Sequence, residues 1–566
     1  MVKRMLAGAA VVIWLVALVH AQPAPEPANP PAEAPPWNAE LRDVAIPMRD
    51  GKALAANVLL PAKPGKYPCV LVQTPYNKDK AGREMGDVEK ATDAARGSAK
   101  AWSQFDREHY AYCFVDWRGF FASRRAMEGV NKRQWKRGQD GYDCVEWCAA
   151  QAWCDGKVGT WGGSALGKQQ FDTAAEQPPH LICCAPLIAY QGSRYESYYE
   201  GAVPLEAHIK ALDRLGFGVG EAVLAARGPD RPIWRIARNM GYTPSRIQVP
   251  CLMISGWWDN YPRDVIAQYE DIIKEGGSAA KQHSRLVMGP WSHTAIDMPE
   301  QGDLVFKDAE SYSTQITLKF FDYFLRDQKD NGYDKLARVH AFQCGEGWKT
   351  GASWLALCGK GATRYLHSDL VIRATPEQHP AEAPVPMVQF RYDPKNASPT
   401  IGGQNLPPLT HGPKECSELE KRKDVLVYAT PALEEPLGIR GEVVLKVRLS
   451  CNRKDCDLHA RLLDCTPEGK CFLVSETIQR AKWRDGKSAQ LLEPGKTVEL
   501  TLRFAPHAYT WVKGHKLKLL LTGGNSPRFE RNSHTGEDAW NAETALVADV
   551  QIDHLSEIAL ELPVAP

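Results

Sequence analysis

The stretch from Ala152 to Gly167 constrains this chain more than any other. A turn at Cys154-Asp155-Gly156 leads into a short apolar strand that stops abruptly at Gly162-Gly163-Ser164. Leu166 to Ala175 then has helical composition and ends at Gln177-Pro178-Pro179. Strand, sharp turn with a serine at its tip, helix: this is the layout of a nucleophile elbow. So tight a turn needs small residues around the serine, and glycines supply the room. The helix start behind the serine sets backbone N–H groups beside a developing oxyanion. The strict G-x-S-x-G spelling is not met, because Leu166 stands where the second glycine belongs and Gly167 comes one residue later.

The rest of the N-terminal half supplies the sheet such an elbow requires. Two strands flank a hairpin turn at Arg49-Asp50-Gly51. Tyr67–Gln73, Tyr110–Val115, Leu181–Leu187, Val249–Ser255 and Ser284–Met288 are continuous apolar runs, the pattern of strands buried on both faces. Helical segments alternate with them: Asp87–Ala101, Tyr142–Gln151, Arg263–Glu275 and Thr314–Arg326. That alternation predicts a parallel α/β sheet. Residues 190–248 break it with several short helices and are expected to project as a cap. Within them Gly216-Phe217-Gly218-Val219-Gly220 follows no strand, so it reads as a loop rather than a dinucleotide-binding turn.

Three buried strands end in residues able to perform acyl transfer: Ser164, Asp259 and His293, in the chain order of α/β-hydrolases. Because ligands gather at the C-terminal ends of such strands, all three would face one crevice. His293 would take the Ser164 proton and pass it to the leaving group, while Asp259 fixes the imidazole tautomer. Each has a plain alternative: a turn serine, a helix N-cap for the segment after Asn260, a packed histidine. Order and position together favour the chemical reading.

Beyond about Gly332 helical periodicity disappears. Val339–Phe342, Asp424–Tyr428, Gly441–Leu449, Leu458–Leu463, Thr497–Arg503 and Lys516–Leu521 are short, alternating and bounded by turn residues, as in a β-sandwich or jelly-roll. The expected organisation is a signal peptide over 1–21, a Pro-rich linker over 22–37, an α/β-hydrolase domain over 38–335 with its cap at 190–248, and an all-β jelly-roll of the galactose-binding-like kind over 336–566. A chain of 566 residues is too long for a single core.

Lys3 and Arg4, the short apolar run Leu6–Val19 and Val19-His20-Ala21 read as a secretory signal, with an uncleaved anchor as the alternative. Either places the body outside the cytoplasm, periplasmic or secreted. The 69 basic and 68 acidic side chains leave a net charge of +1, which favours neither nucleic acid nor an anionic membrane as partner. The basic run from Arg124-Arg125 through Lys136-Arg137 reads as a solvated loop. Among 15 cysteines, the best local pairs are Cys465 with Cys471 and Cys451 with Cys456, then Cys344 with Cys358; Cys183-Cys184 read as buried thiols. No Cys/His cluster has zinc spacing, and no cofactor or metal is implied.

These motifs resemble those of the cocaine esterase and X-Pro dipeptidyl-peptidase family of α/β-hydrolases, which also holds α-amino-acid ester hydrolases. The matching residues are Met48-Arg49-Asp50-Gly51, Thr74-Pro75-Tyr76, Asp116 to Ser123, Ala152 to Gly156 leading to Gly162-Gly163-Ser164, Gly256-Trp257-Trp258-Asp259, Gly289-Pro290-Trp291-Ser292-His293, and Pro527 to Asn532. The family spells its elbow G-x-S-Y-x-G, so the late Gly167 fits, while Ala165 replaces the usual tyrosine. The resemblance implies that Tyr76 donates its hydroxyl to the oxyanion and that the Ala165 N–H is the second donor. It implies a small ester or amide, or a short peptide, as substrate, with an aromatic pocket built from Trp257, Trp258, Tyr261 and Phe529. Cap carboxylates Glu196, Glu200 and Glu206 are candidates to hold the free ammonium that a dipeptidyl-peptidase must bind. The short cap favours esterase or amidase over that activity. An inactive hydrolase fold used for binding is a further alternative, supported by Ala165 and the tethered layout.

Overall fold

The computed structural model describes residues 40–83, 96–131, 134–379 and 387–565. The expected signal segment and Pro-rich linker, and most of the helix expected from Asp87, lie outside the described residues. Ten strands form the first sheet: β1 (Glu40–Pro47), β2 (Ala53–Leu59), β3 (Tyr67–Thr74), β4 (Ala111–Asp116), β5 (Cys154–Gly163), β6 (Leu181–Leu187), β7 (Leu252–Trp258), β8 (Arg285–Ser292), β9 (Val339–Gln343) and β10 (Gly347–Gly351). Their spatial order is β1-β2-β4-β3-β5-β6-β7-β8-β9-β10. The strands from β4 to β9 run parallel, and the antiparallel pairs lie at the two margins. The elbow strand β5 is therefore central.

Alternation along β5 shows how the sheet is covered. Thr160 points to one face, where its hydroxyl meets Gln170 at 3.0 Å. That face carries α1 (Arg137–Ala149) and α2 (Ala165–Ala175). Trp161 points to the other and packs 4.6 Å from the Trp102 ring. On that side a Cβ added at Gly159 would meet Leu325 at 2.8 Å, so α4 (Tyr312–Leu325) lies hard against the strand. A helix α3 (Pro262–Glu275) follows β7. Side chains buried on both faces explain why β3 to β8 read as unbroken apolar runs.

Val339–Phe342 was expected in the β-sandwich. It instead pairs in parallel with β8 and extends the α/β sheet as β9, with β10 returning beside it. A five-residue apolar strand looks alike in either sheet, so the sequence carried no signal to separate them. The strands after Gly351 form a nine-stranded and a four-stranded sheet whose pairs are all antiparallel. Cys465 and Cys471 are joined in a disulfide across the hairpin of Asp457–Cys465 with Cys471–Arg480. Cys451 and Cys456, and Cys344 and Cys358, are free thiols, against expectation. No helix among the described residues is long and apolar enough to cross a membrane.

The cap consists of a two-strand hairpin (Tyr199–Glu200 with Val203–Pro204) and helices Glu206–Arg214, Gly220–Ala225 and Pro232–Gly241. It rests on the β-sandwich as well as on the α/β sheet. The Arg480 N–H donates to the Gly201 carbonyl at 2.8 Å, the Glu530 N–H to Pro204 at 3.0 Å, and the Ala207 N–H to Arg528 at 3.3 Å. Arg528 also lies beside Glu200 (3.5 Å) and Glu476 (3.4 Å) and reaches Asn405 at 2.9 Å.

Between β7 and β8 the register slips by one residue after Gly289. The extra residue is accommodated around Trp291, which is fully buried. A Cβ on Gly256 would lie 2.1 Å from the Trp291 carbonyl oxygen, and one on Gly289 would lie 2.2 Å from its ring. Gly256→Ala therefore forces the two strands apart and is expected to cost about 1–3 kcal/mol. Denaturant unfolding measures the loss, and activity should fall with it because the ends of both strands are displaced.

Candidate active site

Ser164 sits at φ +57° and ψ −121°, a conformation a side-chain-bearing residue rarely adopts. Four contacts impose it. The Ser164 N–H donates to the Leu187 carbonyl and the Lys168 N–H to the Ser164 carbonyl, both at 3.0 Å. Gly162, at φ +139°, has no room for a Cβ, which would lie 2.6 Å from that of Leu166. A Cβ on Gly167 would lie 2.5 Å from that of Ala189 and 3.0 Å from the Leu187 carbonyl. The displaced glycine thus has a physical reason. At position 167 helix α2 presses against the segment after β6, whereas Leu166 packs back over Gly162.

The Tyr76 hydroxyl faces the Ser164 side chain and the Ala165 backbone N–H. Burial, the largest influence, raises the phenol pKa, and these two neighbours oppose the rise. A neutral phenol keeps its proton for donation. Asp259 and His293 lie at the ends of β7 and β8. Nδ1 of His293 is 2.6 Å from Oδ1 of Asp259. The Asn260 N–H donates to the same oxygen at 2.6 Å, and Oδ2 accepts from the Ser255 hydroxyl at 2.7 Å. Asp259 is fully buried. A carboxylate so fixed orients an imidazole with its Nε2 free to accept a proton. The Tyr261 ring packs edge-on to His293, centroids 5.8 Å apart. Asp259 is not the N-cap of α3; Tyr261 holds that place.

Ser164 and Ala165 open onto a cavity of about 930 Å³ beneath the cap. Tyr261 lines it, as expected, and its hydroxyl lies 3.2 Å from Nε2 of His208. The other three residues expected to wall the substrate are elsewhere. Trp257 donates its indole N–H to the Phe342 carbonyl at 2.7 Å, and Trp258 donates to Val474 at 3.1 Å. Both are buried in the packing between the sheets, where partners for the indole N–H groups were available. Phe529 packs with Val203 and Ile478 and buttresses the cap hairpin. The aromatic wall is built instead by Trp117, Phe120 and Phe217, with ring centroids 6.0–6.5 Å apart. Phe217 belongs to the glycine-rich loop of the cap.

The cavity also holds charges that the sequence reading passed over. Arg137, read as part of a solvated basic run, opens α1 and faces the cavity with its guanidinium 4.2 Å over the Trp117 ring. Lys168 and Asp172 follow Ser164 at four-residue intervals on α2, and that spacing after the elbow was the signal available for them. Burial pushes the Lys168 ammonium down to about 8. It pushes the Asp172 carboxyl up, against the nearby Arg137 and Lys168 charges. Of the cap carboxylates, Glu200 is compensated by Arg528, and Glu206 pairs with Lys210 on the surface.

A strained serine at a strand–helix turn and a buried Asp–His pair at neighbouring strand ends stand on an α/β-hydrolase fold. Comparison with known proteins gives the family. The family model of the X-Pro dipeptidyl-peptidase (S15 family) matches residues 50–218 and 220–295, and that of the X-Pro dipeptidyl-peptidase C-terminal non-catalytic domain matches 331–557. A cocaine esterase of Rhodococcus sp. is 26% identical over 559 residues, covering 87% of this chain and 92% of the relative. An aminopeptidase from a marine sediment Thaumarchaeota archaeon superposes with a TM-score of 0.75 at 19% identity, over 97% of this chain and 100% of that one. An α-amino acid ester hydrolase superposes equally well, at 0.75 and 19%, over 96% and 100%. The chain belongs to the cocaine esterase/X-Pro dipeptidyl-peptidase family and is a hydrolase of the esterase or dipeptidyl-peptidase type.

Replacing Tyr76 by Phe removes the hydroxyl and leaves the ring. With Tyr76 as an oxyanion donor, kcat should fall about 10²–10³-fold with little change in KM. A fall of less than about threefold in steady-state turnover of an activated ester would remove Tyr76 from that role.

Proposed function

We propose that the protein is an exported serine esterase, with amides as secondary substrates, working through an acyl-enzyme at Ser164. His293 takes the hydroxyl proton as Ser164 attacks the carbonyl carbon and delivers it to the leaving alcohol or amine. Asp259 holds the imidazole in the required tautomer and stabilises its cation. The oxyanion is held by the Tyr76 hydroxyl and the Ala165 N–H. Water activated by His293 then releases the acid and restores Ser164.

The observation that carries this reading is the convergence of the Tyr76 hydroxyl and the Ala165 N–H beside a serine whose backbone is held in a strained conformation. Replacing the family's tyrosine with Ala165 does not touch this arrangement, because the donor is the backbone N–H. That argues against an inactive binding protein. Ester cleavage is favoured over dipeptidyl-peptidase activity because the half-buried cap carboxylate, Glu200, already lies beside Arg528, which leaves it little capacity for a substrate ammonium. Export rests on the charged and apolar pattern of residues 1–21, and the Cys465–Cys471 disulfide suits an oxidising compartment.

A fluorophosphonate probe should label the folded protein at Ser164, and Ser164→Ala should abolish labelling; an unlabelled folded protein would exclude the mechanism. Paired assays should show p-nitrophenyl acyl esters turned over far faster than Gly-Pro- or Ala-Pro-p-nitroanilide. The reverse ratio would make the protein a dipeptidyl-peptidase. Sequencing the mature chain should find Gln22 at its N-terminus.

A further inference from the structure

We propose that the acyl group is a long apolar chain running from Ser164 to the mouth of the cavity, and that Phe121 is a specificity-determining residue that receives its outer end. The inference deepens the proposed function and rests on Ser164 being the nucleophile.

Phe121 has three properties that packing of the fold does not account for. Its backbone lies at φ +38°, in the left-handed region that glycine enters freely and a bulky residue enters only at a cost. Its side chain is 47% exposed and takes no part in the hydrophobic core of the described residues. It lines the same cavity as Ser164. A ring that is strained at its backbone and largely in solvent adds nothing to the stability of the chain. Its use is sought in what enters the cavity.

The turn around Phe121 is fixed from both sides. The Ala122 N–H donates to one oxygen of the buried Asp116 carboxylate at 3.1 Å, and the Lys78 N–H to the other at 2.7 Å. The Ser123 N–H donates to the Phe120 carbonyl at 2.9 Å, the Gly119 N–H to the Ser123 carbonyl at 3.1 Å, and the Ala55 N–H to the Ser123 hydroxyl at 2.9 Å. Just before it, the Arg118 guanidinium is tied to Asp140 at 2.7 and 2.8 Å and to the Ala126 carbonyl at 2.9 Å. A turn held this way imposes the positive φ on whatever residue stands at 121. Glycine would meet that demand without strain, and the chain places a phenylalanine there.

The opposite rim is apolar as well. The turn meets the glycine-rich loop of the cap: the Phe120 and Phe217 ring centroids are 6.2 Å apart, and a Cβ at Gly216 would lie 3.9 Å from the Phe120 ring. Leu215 lines the cavity beside them and is 44% exposed. Ser164 and Ala165 are on the cavity wall, whereas His293, which must reach the leaving group, is not. The cavity therefore takes the acyl side of the ester. Its volume of about 930 Å³ suits a drug-sized group far better than an acetyl group. Two half-exposed apolar side chains facing each other at its rim extend the apolar path past Phe217, so an acyl chain gains contact along its whole length. Each methylene withdrawn from water there raises kcat/KM by up to about fourfold.

The test compares p-nitrophenyl octanoate with p-nitrophenyl acetate, and reads binding separately by calorimetry on Ser164→Ala protein titrated with ethyl octanoate and ethyl acetate. The wild type should favour the octanoate by about tenfold or more in kcat/KM, and the Ser164→Ala protein should bind ethyl octanoate at least about tenfold more tightly than ethyl acetate. Phe121→Ala and Phe121→Gly should each cut this preference about fivefold or more, through KM rather than kcat, while Phe121→Leu retains it and Leu215→Ser lowers it. Thermal unfolding separates the ring from the backbone: Phe121→Gly should unfold at a higher temperature than Phe121→Ala, because only glycine releases the positive φ. Equal kcat/KM for the two esters, or a preference that follows the alcohol chain of octyl acetate instead of the acyl chain, overturns the proposal. So does a Phe121→Ala protein that unfolds well below the wild type yet keeps the octanoate preference, since the ring would then be structural. Failure of fluorophosphonate labelling would overturn the nucleophile instead, and the titrations would still decide whether the cavity selects a long apolar chain.

Discussion

Two glycines and a buried indole hold the ends of β7 and β8 together, and the site depends on that contact. Trp291 occupies the slip in register between the strands, and only hydrogen atoms at Gly256 and Gly289 leave it space. The extra residue re-aims the end of β8, as β-bulges do beside active sites. His293 then stands next to Asp259 rather than a residue beyond it. The short Asp259–His293 contact follows from this backbone arrangement, and the Ser255 hydroxyl and Asn260 N–H fix the carboxylate from the other side. The elbow works by the same means. Gly162 and Gly167 let α2 close on β5 and on the segment after β6, and the closure drives Ser164 into its positive φ. At the elbow the strain sits on Ser164 itself and is met by packing elsewhere.

The β-sandwich has a structural part in the site although none of its described residues lines the cavity. Its Cys471–Arg480 strand and its 525–530 loop carry the cap hairpin through backbone hydrogen bonds and the Phe529 contact. Arg528 joins the cap, the Asn405 loop and the buried Glu476 in one charge network. The cap so held covers the cavity beside Ser164, where aromatic rings supply area and Arg137 and Lys168 supply charge.

Much of this was legible in the chain. The β-strands of the α/β sheet appear as apolar runs because they are buried on both faces, and Ser164, Asp259 and His293 stand where those runs end. Tyr76 became legible only through resemblance, since an isolated Pro-Tyr pair has no periodicity to mark it. The sequence reading failed where side-chain direction matters. Trp257 and Trp258 lie directly before Asp259, yet their indoles turn into the packing between the sheets to satisfy their N–H groups. Arg137 sat in a basic run that looked solvated, and its guanidinium instead covers Trp117.

The sequence by itself determined the strand–turn–helix elbow, the parallel sheet, the cap insertion and the all-β half, because each is written in local periodicity and in glycine placement. Tertiary structure alone decided that Val339–Gln343 joins the first sheet, that Phe217 of a glycine-rich loop lines the cavity beside Ser164, and which charged side chains line it with them. Those facts depend on residues far apart in the chain meeting across a shared space, and pairing and burial of that kind leave no period in the sequence.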